Sequence, residues 1–255
     1  MIGIDRLIRL DWLERTVNLL LAGNKEKEIE TILNETLALS FTASSPNTLR
    51  GSLSKTVTIL MKTWVRVPDE LMHLRNKGID LLRKTPADCN LPLHWGMISA
   101  VYPFWSNVAT QVGRLLKLQG NVAAAQIQRR LQEQYGQKET VARRTRYLLR
   151  TFIDWQVLSD STVRGVYNIG KQISIEKIEI ISWLIEAFLY ARPHNSIILN
   201  ELLNSPSLFP FHLKPITTEN LQAASSNIEF LRHGFDDNLV ILREQKVRTG
   251  RGVTQ

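Results

Sequence analysis

Leucine and isoleucine recur every three or four positions through "DWLERTVNLLLAG" and "KEKEIETILNETLALSF", with Gly23-Asn24 as punctuation between the two runs. The start, "MIGIDRLIRLDWLERTVNLLLAG", reads as one amphipathic helix. "SSPNTLRGSLSKTVTILMKTWVRVP" predicts another after a polar Ser/Pro break and ends at Pro68. "PDELMHLRNKGIDLLRKTP" opens on proline and two acids, which suit a helix N-terminus, and stops near Pro86. "TPADCNLP" reads as a loop. "LHWGMISAVYPFWSNVATQVGRLLKLQG" predicts one or two helices, interrupted at Pro103 and closed by Gly120.

In "NVAAAQIQRRLQEQYG" the residues Ala123, Ile127, Leu131 and Tyr135 stand four apart, on one helical face, and Tyr135-Gly136 ends the run. A second helix follows within a few residues, in "ETVARRTRYLLRTFIDW". At ~100° per residue from Val141, its apolar set Val141, Thr145, Leu148, Leu149 and Phe152 lies between about −20° and 80°. Arg146, Arg150 and Arg143 fall near 140°, 180° and 200°, the opposite side, and Arg144 flanks the apolar stripe. After Trp155 the period changes to two. "QVLSD" and "GVYNIG" read as short strands around the polar connector "SDSTVRG".

"SIEKIEIISWLIEAFLYA" predicts a buried helix opened by Ser174, and "NSIILNELLNS" a short one. "SPSLFPFHLKP", with three prolines, reads as an irregular loop. "TTENLQAASSN" predicts a helix capped by Thr217 or Thr218. "IEFLRHGFDDNLVILR" predicts a hairpin with "HGFDDN" as its turn. The end, "EQKVRTGRGVTQ", has few apolar anchors and reads as a mobile basic arm.

Composition adds a partner to this picture. The 255-residue chain carries a net charge of +8 with a pI near 9.7. Residues 114–150 alone hold nine basic residues against two acids, and 243–255 four against one. The rest of the chain is slightly acidic, so the excess is local, as expected of a surface that meets a polyanion. No apolar run reaches the ~18–20 residues that span a bilayer. Asp5, Asp11 and Glu14 interrupt any signal-peptide core, and one cysteine, Cys89, allows no intramolecular disulfide. The expectation is a cytoplasmic protein without membrane contact. The five histidines are scattered, so no metal is expected, and no cofactor motif occurs.

The order helix, helix, tight turn, helix, hairpin over about 106–172 resembles the winged helix-turn-helix superfamily. "QIQRRLQEQYG", "ETVARRTRYLL" and "WQVLSDSTVRGVYNIG" carry the resemblance, which covers under a third of the chain. It departs from the pattern in "QKET", where Thr140 is a late helix cap. The resemblance implies a mainly α fold with small β-hairpins. A helical region spans 1–95, the winged helix domain 96–172, and a helical region ending in a hairpin 173–245. A tail covers 246–255. The same element order in the third region suggests a second, degenerate winged helix whose third helix lacks cations and so faces protein.

The resemblance also implies that the third helix enters the major groove of double-stranded DNA. Lys138, Thr140, Arg143, Arg146, Tyr147 and Arg150 are then the contacting set. Arg129 would clamp backbone phosphate, Arg164 would sit in the wing, and Lys171 adds a further cation. Arginine suits both phosphate and guanine edges. A transcription regulator and an accessory DNA-recognition subunit of a larger complex, for instance in genome defence, both fit. Either acts as a homo-oligomer or with other protein subunits. Two alternatives stay open: an adaptor whose basic face meets an acidic protein, and an RNA-binding protein. The six tryptophans sit in apolar helical patterns and read as core anchors. Cys89 with His94 lacks an acid–base partner, and Asp69-Glu70 suits a helix dipole better than a metal. No enzymatic activity is expected.

Overall fold

The computed structural model describes residues 3–41, 46–192, 194–233 and 237–243. The molecule is mainly helical, with two small three-stranded antiparallel sheets and one two-stranded parallel pair. The tip of the "HGFDDN" turn and the basic arm 246–255 lie outside the described residues.

Four helices open the chain: α1 Leu10–Leu21, α2 Glu26–Ala38, α3 Pro46–Trp64 and α4 Met72–Arg83. Each buries one stripe, for example Trp12, Leu13, Thr16 and Val17 of α1 and Ile29, Leu33 and Leu37 of α2. Residues 3–9 are not helical, contrary to the amphipathic reading. Ile4 and Ile8 are buried at helix-like spacing. The Ile8 backbone, however, bonds elsewhere: its N–H donates to Thr151 Oγ1 at 3.1 Å, and its carbonyl accepts from Trp155 Nε1 at 2.9 Å. These contacts across more than 140 residues take the groups that a first helical turn would have needed.

α5 Leu91–Val101 and α6 Pro103–Gln119 follow. Proline 103 stands at the first turn of α6, where its missing N–H costs nothing. Gly120 closes that helix at φ +75°, a left-handed conformation suited to glycine. Residues 91–100 of α5 are all buried, so a division at 95/96 would cut through a central helix.

The middle of the chain builds β1 Asn121–Ala123, α7 Ala124–Tyr135, α8 Glu139–Asp154, β2 Leu158–Asp160 and β3 Val166–Ile169. β3 lies between the other two strands, with Val122 opposite Tyr167 and Ser159 opposite Asn168. Ala123, expected on a helical face, is in β1.

The last third holds β4 Ile173–Ile175, α9 Ile178–Tyr190, β5 Ser196–Ile198 and α10 Leu199–Leu203. β6 Phe211–Leu213, α11 Thr218–Ala224, β7 Ile228–His233 and β8 Asp237–Leu242 follow. Three expectations change here. Ser174 does not cap α9; it pairs in β4 with His212 of β6, parallel. The proline-rich stretch therefore contains a strand. "NSIILNELLNS" divides into β5 and the shorter α10. Thr217 caps α11 by accepting from the Asn220 N–H at 3.3 Å. The sheet order β5-β8-β7 repeats β1-β3-β2 of the preceding unit.

One continuous core joins these parts. All six tryptophans are buried in it. Trp95 packs against Trp105, Phe152, Trp155, Phe209 and Phe211, with ring centroids 5.1–6.0 Å apart. Trp183 lies in a slot made by two glycines: a Cβ on Gly96 would fall 2.4 Å from its ring and one on Gly78 2.9 Å. The Glu186 carboxylate, fully buried, is held by Asn227 Nδ2 at 2.8 Å and Lys77 Nζ at 3.4 Å, linking α9 to α4 and to the start of β7.

Candidate nucleic-acid interface

α8 is anchored on one side and open on the other. Val141, Thr145, Leu148, Leu149, Thr151 and Phe152 are buried. Arg143, Arg146 and Arg150 are exposed, as are Lys138, Glu139 and Thr140 at its start. The turn from α7 runs through Gly136 at φ +92°, and the Lys138 N–H donates to the Gly136 carbonyl at 2.8 Å. Lys138 is the residue preceding the helix, with no side-chain cap bond, so Thr140 lies inside the first turn rather than capping it. Arg129 projects from α7, exposed, 3.8 Å from Glu133. Arg164 is exposed in the β2–β3 connector beside Val163, and Gly165 makes that turn at φ +80°. Lys171 is exposed after β3, its N–H on the Gln156 carbonyl at 2.6 Å.

Tyr147 is placed differently from the expected contacting set. It is half-buried, and the Arg6 guanidinium stands 5.9 Å from its ring centroid. The segment 3–9 thus runs beside the Tyr147–Thr151–Asp154 side of α8. Asp154 takes Arg9 Nε and the Leu10 N–H, each at 3.2 Å. The open arginine side is left uncovered by this segment.

Charge pairing separates two classes of arginine. Arg6 lies 3.7 Å from Asp5, and Arg9 reaches both Asp11 and Asp154. On the open face, Arg150 stands 3.7 Å from Asp160 of β2, with both side chains 61% exposed. Among the described residues, nothing forms a hydrogen bond or ion pair with the Arg143 or Arg146 guanidinium. Sequence reasoning missed the N-terminal segment and Asp160. Only the acid's position in the predicted β2 hinted that it would meet the helix.

His94 is fully buried, and its Nδ1 accepts the Trp64 indole N–H at 3.0 Å. That nitrogen is therefore not open as a base toward Cys89. Its Nε2 lies 3.1 Å from Glu14 Oε1. Burial raises the Glu14 carboxyl, but its hydrogen bonds with His94 and the Asn90 amide outweigh it, so the group is held below its ordinary value. No described helix is long and apolar enough to cross a membrane. No model of a known family, no curated protein and no solved structure matches the chain.

Proposed function

We propose that this protein binds double-stranded DNA through a winged helix formed by α6, β1, α7, α8, β2 and β3, with α8 as the recognition helix. The element order and the β1-β3-β2 sheet support that architecture. The observation that carries the function is the open face of α8. Three arginines project from it, and Asp160 is the described carboxylate that engages one of them. An α-helix of this kind fits the ~12 Å major groove of B-DNA, where arginine reaches phosphates and guanine O6 and N7. The deep, narrow major groove of A-form RNA excludes it.

Arg129 and Lys138 flank α8 on the α7 side, and Arg164 with Val163 forms the tip of the wing. Tyr147 plays a positioning part, held by Arg6. The second unit, α9, β5, α10, α11, β7 and β8, repeats the topology. Its α11 carries Glu219 and no cation, which supports a protein-facing role. A transcription regulator and a DNA-recognition subunit of a larger assembly both use such a pairing of a reader with a docking module. Replacing Arg143, Arg146 and Arg150 together by alanine is expected to weaken duplex binding ~100-fold or more, at about 1 kcal/mol or more per charged contact. A gel-shift series showing less than a threefold change rejects the assignment. Retention of an acidic protein with no duplex binding at ~150 mM salt would favour the adaptor reading.

A further inference from the structure

Between the Arg-rich unit and the second unit, a cleft of about 550 Å³ opens, a size in the range of small-molecule sites. α6 and β3 contribute Leu116 and Ile169 from one side; α10 and the stretch before β6 contribute Leu203 and Phe209 from the other. Two basic side chains stand on its lining, Lys117 at the end of α6 and His212 in β6, and both are exposed. No described aspartate or glutamate lines the cleft, and no described residue engages the Lys117 ammonium in a hydrogen bond or ion pair.

The walls are fixed independently of any occupant. At Gly113 the α6 backbone meets the second unit so closely that a Cβ would fall 2.0 Å from the Pro206 carbonyl oxygen. Phe209 and Phe211 are held against Trp95, with ring centroids at 5.6 and 5.7 Å. β6 is pinned by its parallel pairing with β4, which sets His212 beside Ser174. An apolar, preformed floor with a cation on it and no carboxylate opposing it matches one ligand chemistry. We infer that the cleft binds a small organic anion with an apolar body. The acid group would sit on Lys117, and the body against Leu116, Ile169, Leu203 and Phe209. Such a ligand touches both units at once, α6 and β3 of the one and α10 of the other, together with the neighbouring β6. The inference does not depend on nucleic-acid binding.

The probe is 8-anilinonaphthalene-1-sulfonate, an aromatic body with a fixed negative charge, titrated by fluorescence, with decanoate as the displacing ligand. Saturable binding at one site is expected, displaced by decanoate. Lys117→Gln, at an exposed position, is expected to weaken it about tenfold, the loss of one charge-assisted contact. Gln172→Trp, which fills the mouth of the cleft, is expected to abolish it. Lys214→Gln, outside the cleft, is expected to leave it unchanged. Absence of saturable binding overturns the inference. So does wild-type affinity in both Lys117→Gln and Gln172→Trp, or an equal loss in Lys214→Gln. None of these readouts involves DNA, so the duplex-binding proposal stands or falls separately.

Discussion

Replacing Asp160 by asparagine removes the carboxylate that stands on the proposed DNA-binding face, 3.7 Å from Arg150. Two unit charges ~4 Å apart attract by ~1 kcal/mol in a water-like dielectric, and exposed pairs measure ~0.2–1 kcal/mol. Both side chains here are 61% exposed, so the substitution should change folding stability by less than ~1 kcal/mol. Its effect on duplex binding is opposite in sign. Arg150 is released to a phosphate, and one negative charge is withdrawn from beside the DNA backbone. Affinity is expected to rise about threefold to tenfold at ~50 mM salt and less at ~200 mM, as the Debye length falls below ~10 Å. Fluorescence anisotropy with a labelled duplex of ~20 base pairs measures this, run for wild type, Asp160→Asn, Arg150→Ala and the double variant. The gain should shrink in the Arg150→Ala background, where only the withdrawn repulsion remains. Weaker binding by Asp160→Asn would refute the reasoning, because the carboxylate would then be orienting Arg150 rather than competing for it.

Gly96→Ala is expected to destabilise the fold by about 1–3 kcal/mol in urea unfolding, since Trp183 is closed in by Gly78 on its other contact and tied by Nε1 to the Leu74 carbonyl at 2.8 Å. Trp183→Phe in the same chain should recover part of that loss, giving a coupling above ~0.5 kcal/mol; strict additivity would contradict the slot. Thr151→Val keeps the shape but leaves the buried Ile8 N–H unpaired, so a loss of about 1–3 kcal/mol is expected, read by thermal unfolding. Glu14, held below its ordinary value of 4.5, stabilises the fold above that pH and loses its contribution as the pH falls through its lowered value. Glu14→Gln should therefore be less stable than wild type at pH 7, with the gap closing as the pH falls through the lowered carboxyl value; a gap that does not change with pH would contradict the lowered titration of Glu14.

The legible parts of the chain were those set by local periodicity. The buried stripe of α8, its exposed arginines, the break at Pro103 and the stop at Gly120 all follow from spacing that a few neighbouring residues fix. What escaped was set by partners distant in sequence. β1 is three residues long and looks like the first turn of α7 until β3 lies beside it. Ser174 has the chemistry of a helix cap, yet its backbone pairs with His212, 38 residues on. Residues 3–9 carry helical spacing, but their backbone is claimed by Thr151 and Trp155. The same holds for the site: Arg143 and Arg146 could be placed on an outward face from the helical wheel alone, whereas the Arg6–Tyr147 and Arg150–Asp160 contacts required the fold.

The central claim is that the arginines of α8 meet a nucleic-acid backbone, and counterion release counts such contacts directly. In a plot of the logarithm of the duplex association constant against the logarithm of salt, four to six phosphate contacts give the wild-type protein a slope of roughly −4 to −5. The Arg143, Arg146, Arg150 triple alanine variant should flatten that slope by about 2.7, at ~0.9 per contact. A folded triple variant with the wild-type slope would contradict it.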